Sequence, residues 1–371
     1  MSEPVAAGRT LIVSDLHLGA SSTTDVLRGP AGAVLGDALE GVRRLVLLGD
    51  TLELRQGPAR DALAAAEPAV RALGEAFAGE ELILVPGNHD HALLSAWSEQ
   101  RAESTSAGPL SLQQRFSPAE ASTAAATLAG WLGGSRVSMA YPGLWLREDV
   151  YATHGHYLDC HSTLPTFERL AAGAMARLLG PLPAGPLAPD DYERLLEPIY
   201  AWIGAVARRA TGDGRAAHGS SARTLEMLAG DGRHPLRSRA LARLVPAGVG
   251  LLNRAGVGPV DPDLSPGKVR RSGYEAMAHV VDRLGIDARH VVFGHSHRAG
   301  PLPGDDTGSW RTPGGVSLHN SGNWVYEPGL LARGPQSPFW PGSCLSLADD
   351  GPPVLHRLLG PRDSWGVRAR Q

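Results

Sequence analysis

Short apolar runs that stop abruptly at polar residues recur along this chain. Thr10–Ser14, Leu45–Leu48, Leu82–Val85, Val150–Thr153 and His290–Phe293 are each four or five residues long and rich in Leu, Ile and Val. Runs of that length and composition predict buried strands. Between the first three lie helical patterns at 31–41 and 59–78, the second expected to break at Pro68, because proline removes a helix donor and crowds the preceding turn. Strand and helix alternate, which predicts an α/β sheet.

Further helices are expected around 92–101 and 118–132, and one or two strands in 136–149 near Pro142-Gly143. Residues 316–319, 320–325, 343–347 and 354–358 read as closing strands. The stretch 161–285 differs. It is rich in Leu, Ala, Arg, Pro and Gly, with helical patterns around 167–179, 190–210, 221–229, 236–245 and 273–285. This predicts a helical insertion or cap splitting a core of 8–160 and 286–358, followed by a loose tail over 359–371. Ile199–Ala207 is apolar and flanked by Pro198 and Arg208-Arg209. It is read as a packed helix, with a peripheral membrane contact as the sharper alternative.

The 371 residues carry a net charge of −3, so no global nucleic-acid signature is present. The charge is unevenly distributed: −8 over 1–160, +4 over 161–285 and +1 over 286–371. An acidic part is joined to a basic middle. Two cysteines, Cys160 and Cys344, cannot build a disulfide framework and are expected as reduced thiols. The N-terminus has no signal-peptide pattern and no apolar run approaches the roughly 20 residues of a membrane span, so the expected location is cytoplasmic.

The polar residues at the strand exits carry the chemistry. In order they include Asp15 and His17, Asp50, Asn88 and His89, His154 and His156, and His295 and His297. Positions two apart on an extended chain point the same way, so Asp15 with His17, and His295 with His297, are each expected to converge. A mixed imidazole and carboxylate set suits Mn, Fe or Zn better than Ca or Mg.

Asp15-Leu16-His17, Gly49-Asp50, Gly87-Asn88-His89-Asp90, His154 and Gly294-His295-Ser296-His297 together resemble, in order, the five motif blocks of the calcineurin-like metallophosphoesterase superfamily. The resemblance covers about 8–160 and 286–358. It implies a four-layer αββα sandwich of two mixed sheets with metals at the strand ends. It also implies a dinuclear centre, most readily of Mn²⁺ with Fe or Zn as alternatives. Asp15, His17 and His297 would hold one ion, Asn88, His154 and His295 the other, and Asp50 would bridge. His89 would donate a proton to the leaving group and Asp90 would orient His89. His156 and Asp159 are candidates for supporting or substrate contacts.

The implied activity is hydrolysis of an anionic phosphate ester or pyrophosphate by metal-activated water. A helical lid directly after the His154 block is similar to that of UDP-2,3-diacylglucosamine hydrolases, which makes a lipid-nucleotide pyrophosphatase one alternative. Those enzymes carry Arg after the Asn ligand, where this chain has His89. A nuclease is a second alternative, disfavoured by the net charge and by an aromatic content of 5%. A non-catalytic scaffold is a third, disfavoured because Asp50 and His89 are both present. The insertion is also a candidate for homodimer formation.

Overall fold

The computed structural model describes residues 10–20, 25–104, 108–133, 136–209, 250, 252–261, 263, 265–327, 331 and 334–361. The helical patterns at 221–229 and 236–245, and most of the expected tail, lie outside the described residues. The elements run β1 (Thr10–Val13), α1 (Ala31–Ala38), β2 (Arg44–Leu48), α2 (Ala59–Ala76), β3 (Glu81–Val85), α3 (Ser95–Glu103), β4 (Gln113–Phe116), α4 (Pro118–Ala121), α5 (Thr123–Trp131), β5 (Arg136–Arg147) and β6 (Val150–Thr153). They continue with α6 (Phe167–Leu179), α7 (Pro189–Arg209), α8 (Pro266–Leu284), β7 (His290–Phe293), β8 (Ser317–Asn320), β9 (Ser343–Leu347) and β10 (Val354–Arg357).

Two local expectations change. Pro68 does not interrupt α2. Pro68 and Ala64, one turn earlier, both face solvent, so water can take up the carbonyl that proline leaves without a donor. The polar run Gln113–Phe116 forms an unexpected strand that pairs antiparallel with β5. Alternation could not reveal it, because none of its four residues is buried.

The strands form one hydrogen-bonded path, β10-β9-β1-β2-β3-β5-β6-β7-β8, with β4 attached to β5. The expectation of two separate sheets is corrected here. The connection is β5, a single strand of 12 residues. Its first part lies parallel to β3, pairing Glu81 with Arg136 through Leu84 with Met139. Its last part, from Gly143, pairs antiparallel with β6. Around this strand the path folds on itself. Ile12, Val46, Ile83 and Leu345 from one half share a buried cluster with Val150, Ala152 and Val292 from the other.

Each half is covered by helices on its other face. Leu35, Val70 and Leu128 from α1, α2 and α5 pack with Leu11, Leu45 and Leu82. Leu196 and Ile199 of α7 and Met277 and Val281 of α8 pack with Tyr151, Val291 and Leu318. The stretch expected as an insertion therefore supplies the helical layer of the second half. Among the described residues, no helix is long and apolar enough to cross a membrane.

This topology positions the site. β1, β2 and β3 are mutually parallel, so their C-terminal ends share one edge. β5 runs past that edge, and β6 returns antiparallel to it, with Thr153 opposite Gly143. β7 is parallel to β6. β1, β2, β3, β6 and β7 thus finish at the same place.

Ile83 is fully buried between the two halves. Ile83→Ala is expected to destabilise the protein by about 2–5 kcal/mol, read as a lower denaturant midpoint. Leu178→Ala, at a side chain 76% exposed, is expected to stay within about 0.5 kcal/mol of the parent.

Candidate metal centre

Backbone geometry marks the site. Among the described residues, the non-glycine positions with positive φ are Asp15 (54°), His17 (46°), Asp50 (51°), His295 (63°) and His297 (55°). All five are candidate ligands. L-residues visit this left-handed region at a cost of about 1–2 kcal/mol each, and such strain gathers where function requires it. The expected convergence of Asp15 with His17, and of His295 with His297, is therefore made by tight left-handed turns and not by an extended chain.

Neighbouring loops hold these turns. Asp15 N–H donates to Gly49 O at 3.0 Å and His17 N–H to Asp50 O at 2.8 Å. The segment after β8, expected as strand, is mainly a loop, and together with the last residue of β8 it buttresses them. Trp324 N–H donates to Asp15 O at 3.0 Å, Asn320 Nδ2 to Gly294 O at 2.8 Å and Asn323 Nδ2 to His297 O at 2.8 Å. Gly49 and Gly87 are required for room, since a methyl group at either would overlap the His154 ring.

The side chains gather into overlapping groups: Asp15, His17 and His297; His17, Asp50 and His89; and Asp50, His154 and His295, each with ligand atoms within 4.8 Å of one another. Each of four imidazoles has one nitrogen tied to an outer acceptor. His154 Nδ1 donates to Leu48 O at 3.0 Å, His295 Nε2 to Asp159 Oδ1 at 3.0 Å and His17 Nδ1 to Glu53 Oε2 at 3.3 Å. His297 Nδ1 lies 3.5 Å from Glu327 Oε2. In neutral rings this sets the tautomer and leaves the other nitrogen as a bare lone pair.

Those lone pairs face other acceptors. His17 Nε2 lies 3.2 Å from His297 Nε2, which is 3.3 Å from Asp15 Oδ1. His154 Nε2 is 3.3 Å from Asp50 Oδ2 and 3.2 Å from Asn88 Oδ1, and His295 Nδ1 is 3.0 Å from Asn88 Oδ1. Asp15 Oδ1 is buried without a hydrogen-bond partner. Acceptors facing acceptors in a buried site repel unless protons or cations lie between them. Asn88 shows the same choice. Its oxygen points inward among the imidazoles, or its amide turns so that nitrogen donates to His154, His295 and Asp50 while oxygen accepts from Arg55 Nη1 at 2.9 Å. The donor set fits divalent cations of the Mn, Fe or Zn type.

Protonation gives the same answer. Burial disfavours a charged His154, yet Asp50 and Asp15 outweigh it and raise its pKa to about 9. Burial likewise opposes charge on His17, but Glu53 and Asp50 raise its pKa. His297 is raised well above the usual value despite burial, through Asp15 and Glu327. Burial would raise Asp50, but His154 and His89 hold it well below the ordinary carboxylate value. Protons occupy this cluster when cations do not.

The remaining expected residues divide. His89 lies at the centre's edge, its side chain 26% exposed, with Nδ1 donating to Glu53 Oε2 at 2.7 Å. The orienting contact expected from Asp90 is made by Glu53. The Asp90 carboxylate instead accepts backbone N–H groups of Gly87 at 2.7 Å, Thr51 at 2.7 Å, and Asp50 and Leu52 at 3.3 Å. It ties the loop after β2 to the loop after β3. Asp159 supports His295. His156 bonds none of the candidate ligands, and its Nε2 meets the Tyr141 hydroxyl at 3.2 Å. Glu53, Arg55 and Glu327 were not singled out from the sequence. Glu53 lies only three residues beyond Asp50, and its place between Leu52 and Leu54 was the available signal.

A divalent ion must displace the imidazole protons, so affinity is expected to fall at low pH. With His154 at about 9, Mn²⁺ affinity should still be rising with pH as it approaches 9. Calorimetry in buffers of different ionisation enthalpy would count the protons released. Gly49→Ala is expected to displace His154 and lower bound metal from two ions to one per chain, measured by elemental analysis, with the circular dichroism spectrum retained.

No family model matches the chain, and no curated protein matches it. Among solved structures it is similar to a dimetal phosphatase from Danio rerio, at 13% identity over 93% of this chain and 96% of that one, with a TM-score of 0.31. A likeness that low carries no functional inference, so the chemistry rests on this chain's own residues.

Proposed function

We propose that this chain is a phosphoester hydrolase that works with two divalent metal ions, Mn²⁺ being the first choice. The observation that carries the reading is the pair of acceptor clusters joined at Asp50. Its Oδ2 lies 3.3 Å from His154 Nε2 and 3.7 Å from His17 Nε2. Asp15, His17 and His297 would hold one ion, and Asn88, His154 and His295 the other. Asp50, which belongs to two of the donor groups, would be shared between the ions, because a buried anion offsets cationic charge that a neutral amide cannot. When bound, the ions supply Lewis acidity toward a phosphoryl group and lower the pKa of water.

His89 is the proposed proton donor. Glu53 engages its Nδ1 at 2.7 Å, which leaves Nε2 to deliver a proton to the departing oxygen. The backbone N–H of His89 donates to Asp50 Oδ1 at 2.8 Å, so its position is tied to the bridging carboxylate. Asp90 acts by clamping the two loops together. The substrate is an anionic phosphate ester or pyrophosphate, whose charge the bound cations would attract.

The metal-loaded protein is expected to hydrolyse p-nitrophenyl phosphate or bis-p-nitrophenyl phosphate. Failure on both, with two ions bound, would sink the proposal. Asp50→Ala is expected to abolish activity and metal occupancy together. His89→Ala should lower turnover by about 10²–10⁴-fold with both ions retained, and an empty site in that variant would overturn its role.

A further inference from the structure

We propose that Glu193 of the cap is a positioning residue, coupling helix α7 to the loop that carries Asn88 and His89. The kinetic part of this inference rests on the phosphoesterase reading; the structural part does not. Glu193 is 9% exposed. Its Oε1 accepts the hydroxyl of Tyr141 at 2.6 Å and that of Tyr157. Its Oε2 lies 3.8 Å from His91 Nε2.

Those three partners come from three places that frame the metal centre. Tyr141 lies on β5, where the sheet path changes halves. Tyr157 sits in the 3-10 turn His156–Cys160, directly after His154. His91 directly follows Asn88-His89-Asp90. Its ring is also packed against Tyr200 of α7 at 4.9 Å and Tyr141 at 5.9 Å between centroids. Moving α7 therefore moves the surroundings of His91, two residues from the proposed proton donor.

Helix docking alone does not call for this arrangement. Leu196, Ile199 and Tyr200 already bury the inner face of α7. A buried carboxylate loses hydration that two hydroxyl donors offset only in part. What it adds is direction, because hydrogen bonds specify the orientation of the helix where apolar contacts permit sliding. The other cap helix makes a parallel contact. Glu168 of α6 meets Arg55 at 3.3 Å, with side chains only 12% and 13% exposed. The Arg55 N–H donates to Glu53 Oε1 at 3.0 Å, and Glu53 holds His89. Two cap helices thus reach His89 by separate routes.

The test uses the metal-loaded full chain and compares Glu193→Leu, Glu193→Gln and the double variant Tyr141→Phe with Tyr157→Phe. Glutamine can still accept both hydroxyl groups through its amide oxygen. Amide hydrogen exchange over 88–94 is expected to quicken at least tenfold in Glu193→Leu and in the double variant, and to stay near the parent in Glu193→Gln. Turnover of p-nitrophenyl phosphate should fall about tenfold in the first two, with KM within twofold and both ions bound, and Glu193→Gln should recover most of it.

Loosening confined to α7, with exchange over 88–94 and turnover per loaded site unchanged, would show a merely structural role. Glu193→Gln as loose as Glu193→Leu would also overturn the proposal, because geometry and not charge is claimed. Should Glu193→Leu fail to fold, the double variant decides. If the loaded parent hydrolyses no aryl phosphate, the phosphoesterase reading fails and exchange alone judges the coupling.

Discussion

Bare lone pairs crowded together in a buried space constrain everything around them. His17, His154, His295 and His297 each have one nitrogen anchored outward, and the other nitrogens point at one another, at Asp15 and Asp50, or at Asn88. Such a group is unstable alone. Cations or protons must sit among these atoms, and the surrounding protein must hold the ligands against their repulsion. The cost extends to the backbone, where five candidate ligands lie in the left-handed region. The hydrogen bonds from Asn320, Asn323 and Trp324 hold those turns closed, so a stretch remote in sequence is part of the site's support.

The folded sheet path follows from the same demand. A single parallel sheet would bring together the ends of β1, β2 and β3 and leave His154, His295 and His297 elsewhere. Because β5 continues through both halves, β6 and β7 return to the edge that the first three strands reach. The packing of Ile83 and Val46 against Val150 and Val292 keeps the halves at the separation the ligands need. Helices α6 and α7 bring buried carboxylates against the segments behind these side chains, where Glu168 meets Arg55 and Glu193 accepts the hydroxyls of Tyr141 and Tyr157.

The residues that sequence reasoning passed over share a physical character. Glu53 and Glu327 engage imidazole nitrogens that face away from the acceptor cluster, and such contacts have no periodicity or spacing to betray them. The resemblance to the metallophosphoesterase superfamily implied that Asp90, adjacent in the chain, orients His89. Adjacent side chains diverge, and the carboxylate turned to backbone donors of two loops while Glu53, from a different loop, took the imidazole. Pro68 and β4 misled for a related reason: each lies where solvent or strand pairing, and not the local pattern, settles the conformation.

The sequence by itself determined most of the strands, their order with the helices, and a candidate set of donor residues, because apolar runs ending in imidazole and carboxylate groups are local properties. It could not determine how those ends meet. That depended on one long strand shared by two halves, on left-handed turns paid for by distant hydrogen bonds, and on Glu53 reaching His89. For Asn88-His89-Asp90, chain order supplied three adjacent functional groups. Only the tertiary structure separated them into an inward amide, an exposed imidazole backed by Glu53, and a carboxylate that clamps two loops.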